Sequence, residues 1–258
     1  MDTLDKKVNT GELETRVKEV YREVALEPKA ERHFEIGRSL AEKLGYPPEA
    51  LYRIPEESVE SLAGVGYHFD LVELKPGECV LDLGSGSGTD IFFAAQSVGP
   101  TGKVVGVDMT DAQLEKTERL RKSGNIKNVE LIKNYIESLP FKDGEFDAVI
   151  SNGVINLSAN KSKVFGEITR VLKSGGRLAI SDIVSSRPLS ERIKSSAELW
   201  ASCIGGAIPL WEYFRLIEKF RCNLVRYRDN PQYHFLTHDD VMDKYGIKSI
   251  SLLAMKSP

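Results

Sequence analysis

The spacing of apolar residues divides the chain into three patterns. Over residues 9–26, Leu13, Val17, Val20, Tyr21 and Val24 recur at helical intervals, with Lys, Arg and Glu between them. This predicts an amphipathic helix that Pro28 limits. A second helix is expected through Phe34, Ile36, Leu40 and Leu44, stopped at Gly45, with a turn at Pro47 and Pro48. Gly64 to His68 reads as a loop or a helix start. From residue 79 the pattern changes to short apolar runs separated by helical stretches. Strands are expected at 80–83, 103–107, 129–132, 146–150 and 178–184. Between them lie a helix around Ile91 to Ala95 and one opened by a Thr110/Gln113 capping box and stopped at Ser123-Gly124. A third helix runs through Val164, Phe165, Ile168, Val171 and Leu172 to Gly175-Gly176. The remaining stretch predicts helices at 190–202 and 210–220, then strands near 224–227 and 250–254.

Alternating strands and helices imply right-handed crossovers and a parallel sheet covered on both faces. The fold class expected is therefore α/β, a doubly wound, mostly parallel sheet with antiparallel C-terminal edge strands. Its parts would be an N-terminal helical cap over 1–73, a ligand-binding core over 74–184, and a C-terminal substrate lobe over 185–258.

Composition narrows the function classes. The chain has 258 residues, 41% hydrophobic and 28% charged, so it can bury a large core. A net charge of −3 offers no basic footprint for nucleic acid or an anionic membrane. No apolar run is long enough to span a bilayer, and the first residues lack a signal-like apolar stretch, so a cytoplasmic protein is expected. The three cysteines, Cys79, Cys203 and Cys222, form no CxxC pair, so no structural metal site is expected.

The strongest chemical signal is Val80-Leu81-Asp82-Leu83-Gly84-Ser85-Gly86-Ser87-Gly88. Glycines directly after a strand let the backbone turn tightly and let a ligand approach the main chain beyond the strand's carboxyl end. Asp108 ends the second strand, where a carboxylate can accept both hydroxyl protons of a ribose. The spacing Gly-x-Gly-x-Gly differs from the dinucleotide fingerprint Gly-x-Gly-x-x-Gly. Asp82 at the loop's mouth would repel a pyrophosphate and suit a cation. S-adenosylmethionine carries an ammonium and a sulfonium and no phosphate, so it is favoured over NAD.

With these residues in hand, 79–184 resembles the class I S-adenosylmethionine-dependent methyltransferases. The resemblance extends through Val105-Gly106-Val107-Asp108-Met109-Thr110, Ile136-Glu137-Ser138-Leu139-Pro140-Phe141, Phe146-Asp147-Ala148-Val149-Ile150-Ser151-Asn152 and Val171-Leu172-Lys173-Ser174-Gly175-Gly176-Arg177-Leu178. It implies that Asp82 and Gly84, Ser85 and Gly86 line the cofactor's methionine and ribose, and that Asp108 holds the ribose hydroxyls. Met109 would pack on the adenine, the Ile136 backbone would face its edge, and Asn152 and Gly153 would lie near the methionine end. Tyr135 stands where the family has the acid that pairs with the adenine amino group. Its ring can stack there, its hydroxyl can donate, or it can point away.

A closer resemblance, to arsenite methyltransferases, rests on Leu74-Lys75-Pro76-Gly77-Glu78, Ser151-Asn152-Gly153-Val154-Ile155-Asn156-Leu157-Ser158, Leu178-Ala179-Ile180-Ser181-Asp182 and Cys203-Ile204-Gly205-Gly206-Ala207. That family holds trivalent arsenic through cysteine thiolates, as soft ions prefer. Here two of its cysteine positions carry Val65 and Gly153, and Ala30-Glu31-Arg32-His33 replaces its paired N-terminal cysteines. Only Cys203 remains. The expected activity is thus methyl transfer to a small-molecule acceptor. Methylation of arsenicals with fewer thiols, and cofactor binding without catalysis, are the competing readings. Tyr21, Tyr67, His68, Trp200 and Cys203 are the substrate-side candidates, with Tyr67 and His68 on a lid and Tyr21 closing over the cofactor. Trp211 is a further aromatic near the Cys203 loop. His33, His234 and His238 carry no partner pattern, and no residue stands out as an acid–base catalyst.

Overall fold

The computed structural model describes residues 10–30 and 34–258; the expectations attached to residues 1–9 and to Glu31, Arg32 and His33 lie outside them. Among the described residues one long helix and four short ones precede the sheet: α1 (Thr10–Leu26), then α2 (Arg38–Leu44), α3 (Pro48–Leu51), α4 (Glu56–Val59) and α5 (Phe69–Val72). Then β1 (Cys79–Leu83), α6 (Thr89–Val98), β2 (Lys103–Asp108), α7 (Asp111–Ser123), β3 (Val129–Lys133), β4 (Phe146–Asn152), α8 (Lys161–Val171) and β5 (Leu172–Val184) alternate. The chain continues through α9 (Glu191–Lys194), α10 (Ala197–Ala201), α11 (Leu210–Lys219), β6 (Cys222–Asp229), α12 (Asp239–Tyr245) and β7 (Lys248–Lys256).

The strands form one sheet in the order β3-β2-β1-β4-β5-β7-β6. The first five pair in parallel, and β7 runs antiparallel between β5 and β6. This is the doubly wound sheet with an antiparallel edge that the alternation implies. Leu81, Leu83, Val149 and Ile180 pack with α8 and α11 in one apolar cluster. Val80, Ile91, Phe92, Ile150 and Ala179 pack with α2, α6 and the segments before β1 in another. The strand order reverses at β1 and β4, so the carboxyl ends of those strands open the crevice in which such sheets bind ligands.

Several local expectations are corrected. The second helix starts at Arg38, after Gly37, so Phe34 and Ile36 precede it. The helix through Val164 ends at Val171, and Leu172 already pairs with Phe146. Gly175 and Gly176 instead belong to an irregularity inside β5, where the pairing skips from Leu172 to Arg177. The stretch 190–202 is broken into α9 and α10, because the Ser196 hydroxyl accepts from Leu199 N–H and starts a new helix. Thr110 precedes α7 without a side-chain cap, and Gln113 has another role.

Candidate active site

Beyond the carboxyl ends of β1, β2 and β4 lies a cavity with about 200 Å³ of water-accessible space. That is far more than the single-water voids of ordinary packing. Its floor is the glycine loop after β1. Gly84 adopts φ +71°, and a Cβ there would stand 2.3 Å from Val154 Cγ2, so only glycine lets the two segments meet. The loop is pinned from α7: the Ser87 hydroxyl donates to Gln113 Oε1 at 2.5 Å, and the Thr117 hydroxyl donates to the Gly86 carbonyl at 2.8 Å. Gln113 Nε2 also donates to the Tyr21 carbonyl at 2.7 Å, tying α1 to the loop.

Three carboxylates face this floor: Asp82, Asp90 and Asp108. Asp82 is 2% exposed, and its Oδ2 has no partner among the described residues; nor has the buried Ser85 hydroxyl. Burial, then the negative charge of Asp90 and Asp108, pushes the Asp82 carboxyl well above the usual carboxylate range. Asp108 accepts from Gly86 N–H at 3.0 Å and from Thr110 N–H at 2.8 Å. Those bonds partly offset the burial that raises its own pKa. Asp90 accepts from the Tyr46 hydroxyl at 2.5 Å and from Asn152 Nδ2 at 3.0 Å. The Asn152 amide is largely engaged by the protein, since its Oδ1 accepts from Val65 N–H at 2.8 Å and its Nδ2 also donates to the Gly66 carbonyl at 3.0 Å.

The roof is α1, which contributes Leu13, Glu14, Val17, Tyr21 and Val24. Val154, Leu157 and Trp200 complete an apolar wall. Trp200 is buried, and its Nε1 donates to the Leu157 carbonyl at 2.9 Å. Behind this wall, Lys161 donates to the Asn156 and Ser158 carbonyls at 3.0 and 2.9 Å. Burial lowers its pKa to about 8.

Asp82, Gly84, Ser85, Gly86, Asp108, Met109, Tyr135, Ile136, Asn152 and Gly153 thus line one cavity, together with Tyr21 and Trp200 from the substrate-side set. Tyr67, His68 and Cys203 are not among its walls. Tyr67 packs edge-on to Tyr46, with ring centroids 4.8 Å apart, and against Phe93. His68 is fully buried against β5, stacked on Phe69 with its Nδ1 3.1 Å from Ser181 Oγ. Burial lowers its pKa, so it is a neutral packed ring and not part of a lid. Cys203 is buried in an apolar cluster with Val65 and Ile204. Its Sγ lies 3.5 Å from the Tyr21 hydroxyl and 3.6 Å from the Gly153 carbonyl. A Cβ on Gly153 would stand 3.3 Å from Val65 Cγ1, so positions 65, 153 and 203 meet in space. Trp211 is exposed on α11, and Cys222 lies against Thr169 in a separate cluster. Glu14 and Asp90 are among the cavity residues that the sequence does not single out, and Gln113 reads there only as half of a capping box. For Gln113 the signal was a polar residue on the inward face of α7.

Comparison with known proteins places this architecture. A methyltransferase-domain family matches residues 74–239. The arsenite methyltransferase of Halobacterium salinarum is 40% identical over 167 residues, covering 65% of this chain and 42% of that protein. The human arsenite methyltransferase is 40% identical over 180 residues, 66% of this chain and 48% of that protein. The chain thus spans about half the length of the curated relatives it matches or less. The crystal structure of an arsenic(III) S-adenosylmethionine methyltransferase from Chlamydomonas reinhardtii superposes with a TM-score of 0.64 at 30% identity, covering 87% of this chain and 75% of that one. With its glycine loop, reversed strand order and antiparallel edge, the chain belongs to the methyltransferase-domain family, in the class I fold and related to the arsenite methyltransferases.

Proposed function

We propose that this cavity binds S-adenosylmethionine and that the chain transfers its methyl group to a small-molecule acceptor. The observation that carries the reading is the charge of the cavity floor. Three carboxylates surround the glycine loop, and the buried Asp82 Oδ2 and Ser85 Oγ wait for donors. A buried carboxylate without a donor is costly, and a cationic ligand relieves that cost, whereas a pyrophosphate would add to it. An ammonium with three N–H groups fits the donor deficit. Asp82 and Gly84 to Gly86 would hold the amino-acid end of the cofactor, and Asp108 the ribose hydroxyls. Met109, Tyr135 and Ile136 would flank the adenine, and Asn152 and Gly153 the methionine end.

The bound cofactor supplies a methyl group already activated on a sulfonium sulfur. What the chain must add is alignment and a dry approach. α1 covers the cavity, and Tyr21, Val154, Leu157 and Trp200 give the acceptor side an apolar lining that excludes water. Among the described residues no histidine lines the cavity.

A second reading, methylation of trivalent arsenicals, is favoured by the meeting of positions 65, 153 and 203. Against it, only one of the three is a thiol. Burial pushes the Cys203 thiol up to about 11, so it is not a ready thiolate. The test is incubation with methyl-labelled S-adenosylmethionine, first with arsenite or monomethylarsenite plus glutathione, then with small organic nucleophiles, read by mass spectrometry. Label in an organic product and none in arsenicals is expected. Labelled arsenicals would establish the second reading. Cofactor binding without any transfer would mark a binding module.

A further inference from the structure

The Glu14 carboxylate has no part in the reading above, yet α1 brings it to the cavity end formed by Met109, Asn134 and Tyr135. The Tyr135 hydroxyl donates to Glu14 Oε1 at 2.6 Å. Lys18 Nζ donates to the same Oε1 at 2.6 Å and to the Tyr135 oxygen at 2.7 Å, with its charge 4.9 Å above the Tyr135 ring. Both donors therefore converge on one oxygen of Glu14, and among the described residues no hydrogen bond engages Oε2. Those donors hold the Glu14 carboxyl below its usual range, so it is ionised at neutral pH.

Each of the other side-chain acceptors at this end holds a donor among the described residues, and Glu137 Oε2 is the one carboxylate oxygen that competes with Glu14 Oε2. Asn134 Oδ1 accepts from Tyr135 N–H at 2.7 Å, the Tyr135 oxygen accepts from Lys18, and Glu137 takes the Ser158 hydroxyl. An adenine placed beyond Asp108 carries an exocyclic amino group that requires an acceptor.

We propose that Glu14 Oε2 accepts the hydrogen bond of that amino group, so that the base is read by the roof helix and Tyr135 positions the reader. The inference rests on S-adenosylmethionine occupying this cavity. A carboxylate at this place also sets specificity: it attracts a 6-amino purine and repels a 6-oxo purine, whose oxygen has no proton to give.

The experiment is calorimetric binding of S-adenosylhomocysteine and of its 6-oxo counterpart, S-inosylhomocysteine. Wild type should prefer the amino ligand by about tenfold, the scale of one hydrogen bond to a charged group near solvent. Glu14→Ala, which keeps a strong helix former on α1, should weaken the amino ligand by about tenfold and bring the preference near unity. Tyr135→Phe keeps the ring and should lose part of the preference. Circular dichroism and melting verify that each variant is folded. Retention of the wild-type preference in folded Glu14→Ala, or its loss only in Glu137→Ala, would overturn the inference. Failure of wild type to bind S-adenosylhomocysteine at all would overturn the cofactor reading itself, and this inference with it.

Discussion

Replacing Asp82 by Asn should stabilise the ligand-free protein and weaken cofactor binding at the same time. Asp82 lies one residue before the end of β1 with 2% exposure, an unpartnered Oδ2 among the described residues, and Asp90 and Asp108 as neighbours. Its pKa is raised in the fold, so over the range between the ordinary carboxylate value and the raised one the folded state binds more protons than the unfolded state. Stability therefore falls as pH rises through that range. Each pH unit over which the fold retains the proton costs about 1.4 kcal/mol. The replacing amide has donors and an acceptor of its own to satisfy, at about 1–3 kcal/mol. The variant should thus be the less stable protein near pH 4, by about 1–3 kcal/mol, and should overtake wild type as pH rises toward 7. Binding should move the other way. Loss of a charged acceptor facing the ligand's ammonium costs about 2–3 kcal/mol, or roughly a thirty- to hundredfold weaker S-adenosylhomocysteine complex. Wild-type affinity should rise with pH as Asp82 loses its proton, and the variant's should be flat. Urea melts at pH 5, 7 and 8 and calorimetry over the same range read both effects. A variant less stable than wild type at pH 7 to 8, or one that binds within about threefold of wild type, would refute the argument.

Three further outcomes are expected. Gly84→Ala places a methyl 2.3 Å from Val154 Cγ2 at φ +71°, which should cost about 2–4 kcal/mol in urea melts through strain and overpacking; adding Val154→Ala should recover the packing part. Val65→Cys combined with Gly153→Cys should create arsenite binding, read by the loss of thiol titre and by mass, that wild type with Cys203 alone does not show. The positive φ of Gly153 should lower the melting temperature of that variant, by strain of about 1–2 kcal/mol. His68→Gln should leave methyl transfer per folded molecule unchanged. It should also flatten the loss of stability as pH falls below about 6.5, because a buried neutral imidazole with a lowered pKa binds fewer protons than the unfolded chain there.

The central fold was readable because parallel strands buried on both faces leave short apolar runs, and the glycine loop and Asp108 are local signals at strand ends. The ends of elements were less so. Gly175-Gly176 looks like a helix stop, but strand pairing from Leu172 outcompetes local preference and the glycines absorb a bulge. Gln113 fits a capping pattern, yet its amide is drawn into the tertiary contact between the glycine loop and α1. His68 follows a glycine-rich loop and looks exposed, but Phe69 and Ser181 take it into the core. Tyr21 reads from the sequence as closing over the cofactor, but Glu14 could not be read from the same stripe: periodicity says which face is buried, not that a carboxylate of α1 would line a cavity built around the glycine loop.

The most direct measurement is a calorimetric titration of the purified chain with S-adenosylhomocysteine and, in parallel, with NADH at pH 8. The charge of the cavity floor predicts saturable binding of S-adenosylhomocysteine at one site per chain, lost in Asp108→Ala, and no heat from NADH. Binding of NADH without S-adenosylhomocysteine would contradict the assignment of this cavity to a cationic, phosphate-free cofactor.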